Sequence, residues 1–152
     1  MTVRSVKGRD DHLIVQFSVF LENKVGRLEE VLRLFARKGL HLMAVCTLDT
    51  TDSAITRLIV DYPEEAREIL RSNNIPFSEI TVLAVEVVTE ADCLRVSHTL
   101  SIAEINVNYT YSFLKRPDGK IGLVFHTEDN DMGADVLSAN GIKVLDRYDI
   151  AR

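Results

Sequence analysis

The residues able to do chemistry lie scattered along this 152-residue chain. His41, His98 and His126 are far apart, and none belongs to a paired histidine–acid motif. Cys46 and Cys93 fall on the apolar faces of a predicted strand and a predicted helix, which is typical of core cysteines. The chain has no Gly-rich phosphate loop, nucleophile elbow or HExxH motif. The sequence therefore predicts a protein that is not an enzyme and has no cofactor or catalytic residue. A small enzyme using His41 or a cysteine is the least favoured alternative.

Two acidic clusters could be considered as metal sites. Asp10, Asp11 and His12 form a lone group near a terminus, without a spaced partner, so we interpret them as a solvated lead-in. Glu128, Asp129 and Asp131 do not fit the spacing of a calcium loop, and acids are common where a helix starts. We expect no metal site.

The segment that suits ligand binding is the turn from a strand into a helix around Gly26. A glycine at such a corner exposes backbone N–H groups at the helix N-terminus, where the carboxylate of a free amino acid is stabilised. Glu22 and Asn23 could contact its ammonium group or close the loop. The alternative is that Gly26 only makes the turn and Asn23 only caps the helix.

Composition favours a folded protein in a reducing compartment. Hydrophobic residues make up 46% and charged residues 27%, and 18 basic against 23 acidic residues give a net charge of -5. An acidic chain without a basic run is a poor nucleic-acid partner. The longest uncharged stretch, Leu13–Leu21, is too short to span a membrane. No secretory signal is evident, and two cysteines make no disulfide framework, so we expect a cytoplasmic protein.

The apolar pattern of the first half predicts strand, helix, strand, strand, helix, strand. Alternation predicts the strands and a three-to-four-residue recurrence the helices. Asp61 and Glu64 have the spacing of a capping box for the second helix, and Asn73-Asn74 can end it. The strands are expected at Leu13–Leu21, Leu42–Leu48, Ile55–Val60 and Ile80–Val88.

The second half repeats this order. At an offset of 65, Gly26–Val60 lies over Ala91–Phe125 without a gap, and apolar positions coincide. Two extra residues then enter before the last helix, and Lys143–Ile150 is the last predicted strand. The chain is therefore an internal duplication of a unit of about 70 residues. The predicted fold class is α+β: two ferredoxin-like βαββαβ units, each an antiparallel sheet with helices on one face.

The opening of each copy resembles the start of an ACT domain. In the first copy this is the loop Glu22–Leu28, a helix, and the strand entry Lys38–Leu42. The resemblance covers about His12 to Tyr148 and implies a tandem ACT-domain protein. It further implies domains at 12–80 and 81–152 after a lead-in at 1–11. Val25 replaces the proline that many members have there. The second copy lacks the glycine, with Ala91 at the equivalent position.

The resemblance implies a non-catalytic regulatory module that binds a small ligand, usually an amino acid, where the first loop meets a neighbouring domain. A metabolic enzyme is an implied partner. The alternative that stays open is an assembly module with a vestigial ligand loop. The implied ligand-binding residues are those of the first loop: Glu22, Asn23, Lys24, Val25, Gly26, Arg27 and Leu28. We predict that a strand entry supplies the rest of the site, through His41 or Asn106 and their neighbours Met43 or Asn108.

Oligomerisation is expected from the unit size. A 70-residue ferredoxin-like unit leaves sheet edges and one sheet face uncovered, and pairing of the two copies covers only part of this. The sequence therefore predicts a homodimer or larger assembly.

Overall fold

The computed structural model describes residues 13–49 and 53–151. Val15–Ile80 form one compact unit and Thr81–Ile150 the other, called here the first and second unit. The predicted lead-in at 1–11, the cluster at residues 10–12 and the centre of the turn at 50–52 lie outside the described residues.

The first unit has the predicted element order. In β1 the alternating residues Phe17, Val19 and Leu21 join the core beneath the helices, as the sequence pattern predicts, but Ile14 and Gln16 on the other face are buried as well. Both helices carry acidic residues in the first turn and an arginine in the last turn, in accord with the helix dipole. The elements are β1 (Ile14–Glu22), α1 (Arg27–Arg37), β2 (Leu42–Asp49), β3 (Ser53–Val60), α2 (Pro63–Ser72) and the start of β4 (Phe77–Val87).

The first sheet has the strand order β2-β3-β1-β4. β3 is antiparallel to both β1 and β2, with Phe17 opposite Leu58. The Phe20 N–H donates to the Pro76 carbonyl at 2.9 Å, which brings the start of β4 beside the end of β1. One apolar core joins β1 and β3 to both helices through residues such as Val31 and Leu70, so both helices cover the same sheet face.

The second unit repeats this arrangement. β4 is antiparallel to β6 on one side and to β7 on the other, and β5 pairs with β6 at the edge. Val96 and Leu100 of α3 pack with Val85 and Phe125 of the sheet in a second core. The predicted ferredoxin-like fold is confirmed. The elements are the rest of β4, α3 (Glu90–Ile102), β5 (Val107–Ser112), β6 (Ile121–Thr127), α4 (Asn130–Ala139), β7 (Lys143–Val144) and α5 (Arg147–Ile150).

The strand registers support the duplication and correct one detail of it. Leu42 lies opposite Val60 and, in the second unit, Val107 opposite Thr127, and a register shift follows immediately in both. The equivalent residues are therefore 65 apart in β2 and β5 but 67 apart in β3 and β6. The two extra residues lie in the hairpin between β5 and β6, and the predicted ungapped alignment through Val60 is wrong.

Two predicted elements differ because side chains form other hydrogen bonds. The predicted capping box of α2 is absent: Tyr62 occupies the N-cap without a side-chain bond, and Asp61 instead accepts a hydrogen bond from the His41 N–H at 2.9 Å. The last strand is only Lys143–Val144. Asp146 Oδ1 accepts from the Asp149 N–H at 2.8 Å, while Asp149 Oδ2 accepts from the Asp146 N–H at 2.9 Å, which starts helix α5 instead.

Candidate functional site

The corner between β1 and α1 is an open helix N-terminus. Gly26 is the N-cap of α1, with φ +87° and ψ -4°, and no side-chain hydrogen bond caps the helix there. This left-handed conformation favours glycine, as the sequence predicts for a tight corner. A β-carbon at Gly26 would meet no atom within 4 Å. The corner is therefore open at Gly26 itself, although the first N–H of α1, that of Arg27, donates to the Lys24 carbonyl at 3.4 Å.

Charges of both signs surround this corner. The Arg27 guanidinium lies between two carboxylates, 3.4 Å from Glu22 Oε2 and 3.1 Å from Glu30 Oε2. Lys24 Nζ is 2.8 Å from the same Glu22 oxygen. The hydrogen bond and charge of Lys24, with those of Arg27, hold the pKa of Glu22 below its ordinary value. Positive and negative side chains therefore lie side by side at neutral pH, and this arrangement is complementary to a zwitterion.

A groove of about 210 Å³ opens beside the corner in the first unit. Ligand pockets for drug-sized molecules span roughly 300–1,000 Å³, so this groove suits a smaller molecule. The walls come from the end of β1, the first turn of α1 and the turn from α2 into β4. The lining residues are Phe20, Leu21, Glu22, Arg27, Glu30, Val31, Asn73, Asn74, Ile75 and Pro76.

Sequence reasoning missed the wall formed by Asn73 and Asn74. We predicted only that these residues end α2, and Asn74 does have a left-handed φ of 54°. Asn73 Nδ2 donates to the Ile69 carbonyl at 2.8 Å, which fixes this side chain on the last turn. The signal that could have found them is topological: in a βαββαβ unit the second helix ends beside the end of the first strand.

The remaining loop residues lie around the corner and not in the groove. Asn23, Lys24 and Val25 are exposed, Val25 fully so, and Leu28 is 38% exposed on the first turn of α1. Of the predicted loop, Glu22 and Arg27 contribute side chains to the groove lining.

His41 and Met43 lie at the opposite end of α1 from the groove. This 11-residue helix is about 16 Å long, so the first unit does not bring the two predicted halves of the site together. The buried Asp61 carboxylate lies 2.8 Å from His41 Nδ1 and holds the exposed ring. Met43 is only 6% exposed.

Asn106 and Asn108 lie in the second unit and are engaged in a chain of polar contacts. Asn106 Nδ2 donates to Asn108 Oδ1 at 3.1 Å, and Asn108 Nδ2 is 3.0 Å from His126 Nδ1. The Asn106 N–H donates to Glu128 Oε1 at 3.0 Å, which matches the His41–Asp61 bond of the first unit. The strand entry is thus built alike in both units.

The N-terminus of α3, which is the equivalent of α1 in the second unit, is closed by its own side chains. Asp92 Oδ2 accepts from the N–H groups of Val88 and Thr89, each at 3.0 Å, and Thr89 Oγ1 accepts from the Asp92 N–H at 3.4 Å. α3 begins at Glu90, so Ala91 lies inside its first turn and not at a corner as we predicted. Helix α1 has no such side-chain cap at Gly26.

We expect Thr89→Ala to weaken this cap without affecting ligand response. Loss of a threonine N-cap costs about 1 kcal/mol of unfolding free energy, which denaturant titration measures. Any amino acid that stabilises the wild-type chain should stabilise the variant equally, since the site lies at Gly26. A ligand response lost with Thr89 would contradict the assignment to the first unit.

The described part of the chain holds neither a metal-ligand cluster nor a helix able to cross a membrane. Residues 13–49 and 53–151 contain no group of three or more histidine, cysteine or acidic side chains able to hold a metal ion. Within the same ranges, no helix has the length and apolarity needed to cross a membrane.

Comparison with known families identifies the family of this chain. A family model described as an ACT domain pair matches residues 12–152. The chain belongs to this family. The predicted resemblance is therefore confirmed, and the ACT domain pair extends over both units. No curated protein sequence matches the chain.

Several solved structures resemble this ACT domain pair. A protein from Bacteroides thetaiotaomicron is 27% identical with a TM-score of 0.85, covering 93% of this chain and 97% of that one. The ligand-free regulatory subunit of aspartate kinase from Thermus thermophilus is 12% identical with a TM-score of 0.57, covering 84% and 91%. The corresponding subunit from Thermus flavus is 13% identical with a TM-score of 0.54, covering 84% and 92%. The two Thermus likenesses show the shared fold alone.

Proposed function

We propose that this ACT domain pair is a non-catalytic regulatory module that binds a free amino acid at the Gly26 corner of its first unit. The observation that carries the proposal is the difference between the two helix N-termini. The first is uncapped, held open by a left-handed glycine and bordered by a groove. The second is filled by the Thr89–Asp92 capping box.

The charges of the corner give the ligand an orientation. Its carboxylate would lie at the N-terminus of α1, where the N–H groups and the helix dipole stabilise an anion. Its ammonium group would lie against Glu22 or Glu30, which form the acidic side of the groove. The small volume favours a short side chain, directed towards Asn73 and Asn74.

Regulation would follow from a shift in population. A ligand that binds one arrangement of the chain more tightly than another favours that arrangement by its difference in affinity. We place the readout on a partner metabolic enzyme or on the oligomer. The contributions expected of His41, Met43, Asn106 and Asn108 stay predictions, because no contact within either unit joins them to the groove.

A thermal-shift screen of the free amino acids with the full chain tests this proposal. An amino acid present at 100 times its dissociation constant should stabilise the folded chain by about 2.7 kcal/mol, because it binds the folded state alone. We expect one or a few small amino acids to raise the melting temperature. No shift with any of them at millimolar concentration would contradict the proposal.

The second candidate function is an assembly module with a vestigial ligand loop. The exposed apolar side chains Leu94 and Ile102 on α3 favour it, because such residues are typical of contact surfaces. The two candidates differ in the screen, since an assembly module shows no amino-acid response.

A further inference from the structure

The outer face of α3 carries two large exposed apolar side chains. Leu94 is 72% and Ile102 70% exposed, and His98 lies between them, one turn from each. Arg95, on the flank, donates from Nη1 to the Asn140 carbonyl at 3.2 Å and so turns towards α4. We call Leu94, His98 and Ile102 the α3 stripe.

Helix α1, the equivalent of α3 in the first unit, has a solvent-exposed face at the same positions. The residues 65 positions before the α3 stripe are Glu29, Arg33 and Arg37. All three are exposed, and Arg33 forms an ion pair with Glu29. The same helix in the same fold is thus charged in one copy and apolar in the other, which is typical of a face that a protein covers.

The strands expose large apolar side chains less than α3 does. Phe20 and Leu48 are each 41% exposed and Ile80 is 39% exposed, whereas Leu94 and Ile102 are 72% and 70% exposed. The α3 stripe is therefore a more exposed apolar surface than the strands offer.

We propose that the α3 stripe binds a second copy of this chain, with the two α3 helices antiparallel across a twofold axis at His98. The stripe is symmetric in sequence, since Leu94 and Ile102 lie four residues before and after His98. A twofold axis at His98 therefore places Leu94 against the partner's Ile102. Each chain carries a net charge of -5, so two copies repel least where their contact surface is uncharged.

The size of the stripe sets the strength of the dimer. A 13-residue helix is about 20 Å long, and one helix pair buries less than the roughly 1,200 Å² of a standard interface. The dimer is therefore weak, with monomer and dimer exchanging in the micromolar range. Its study requires a series of concentrations.

Sedimentation velocity over a concentration series tests the dimer. We expect the wild-type mass to rise from 17.1 kDa towards twice that value. Leu94→Glu should raise the dimer dissociation constant by about 100-fold or more, because each dimer loses two buried leucines and gains two like charges. The matched control is Leu114→Glu, which changes a 60% exposed leucine outside α3 and should leave the association unchanged.

A charge cycle tests the antiparallel geometry itself. Ile102→Lys alone should weaken association as Leu94→Glu does. The double variant, Leu94→Glu with Ile102→Lys, should recover it at least tenfold relative to either single variant, since the antiparallel arrangement pairs each Glu with a Lys. A His98→Cys variant should form a covalent dimer on oxidation, whereas Leu114→Cys should not.

Three results would overturn the proposal. They are a wild-type mass of 17.1 kDa at every concentration, association unchanged by Leu94→Glu, and a double variant no better than the single ones. None of these results bears on the ligand proposal, because the substituted residues lie outside the Gly26 corner.

Discussion

Gly26→Val is expected to abolish stabilisation by the amino acid that the wild-type chain binds. A valine forced into φ +87° costs about 1–2 kcal/mol and adds a branched side chain at the N-cap of α1. Both effects act at the corner and leave the apolar core intact. Calorimetric titration of the folded variant should therefore show an affinity at least 100-fold weaker, equivalent to about 2.7 kcal/mol of lost binding energy.

Gly39→Val is the matched control for that change. Gly39 follows the other end of α1, has φ +73°, and an added β-carbon there would also meet no atom within 4 Å. The two variants should lose similar amounts of unfolding free energy, because the strain is alike. Only the Gly26 variant should lose the ligand. Equal loss of ligand in both would mean that strain, and not the corner, controls binding.

Glu86→Gln is expected to lower the unfolding free energy by about 3 kcal/mol or more. Glu86 lies in the second unit with a side chain 6% exposed, and its Oε2 is 2.7 Å from Arg116 Nη2, itself 10% exposed. Lys120 and Lys143 lie 3.4 Å and 3.9 Å from the other oxygen. The glutamine variant leaves a nearly buried guanidinium without its counter-charge, and denaturant unfolding at pH 7 measures the cost.

Glu79→Gln provides the exposed counterpart. Glu79 also accepts two hydrogen bonds from one arginine, Arg67, at 2.7 Å and 2.8 Å, but its side chain is 35% exposed. Water replaces the partner there, so we expect a cost of about 1 kcal/mol or less. A larger effect at Glu79 than at Glu86 would contradict the importance given to burial.

The effect of Glu86 should also depend on pH. Burial by itself raises the pKa of Glu86, but the hydrogen bond and charge of Arg116, with Lys120, outweigh it and lower the pKa below the ordinary 4.5. Its stabilisation is therefore present above pH 4.5 and is lost as pH falls through the folded-state pKa. The difference between wild type and Glu86→Gln should shrink steadily on acidification from pH 4.5.

The apolar pattern predicted the cores well because helices repeat every 3.6 residues. Val31 and Val96, and likewise Phe35 and Leu100, are buried at equivalent places in the two units. The hairpin insertion escaped notice for a physical reason. A shift of two residues in a strand keeps every side chain on the same face, so alternation alone cannot reveal it.

The candidate site was predictable only in part. Gly26, Glu22 and Arg27 follow from the local pattern of strand, glycine and helix. Asn73 and Asn74 reach the groove through the tertiary fold, which brings together segments about 50 residues apart in sequence. The capping box at Thr89 was readable as a threonine three residues before an acid, but the alignment with Gly26 drew attention to Ala91 instead.

The stoichiometry of amino-acid binding tests the central claim most directly. Isothermal titration of the wild-type chain, with an amino acid that raises its melting temperature, gives the number of sites per chain. One site per 17.1 kDa chain is predicted, because the corner at Gly26 is open and the one at Thr89 is capped. Two equivalent sites per chain, or one site that survives Gly26→Val unchanged, would contradict the account.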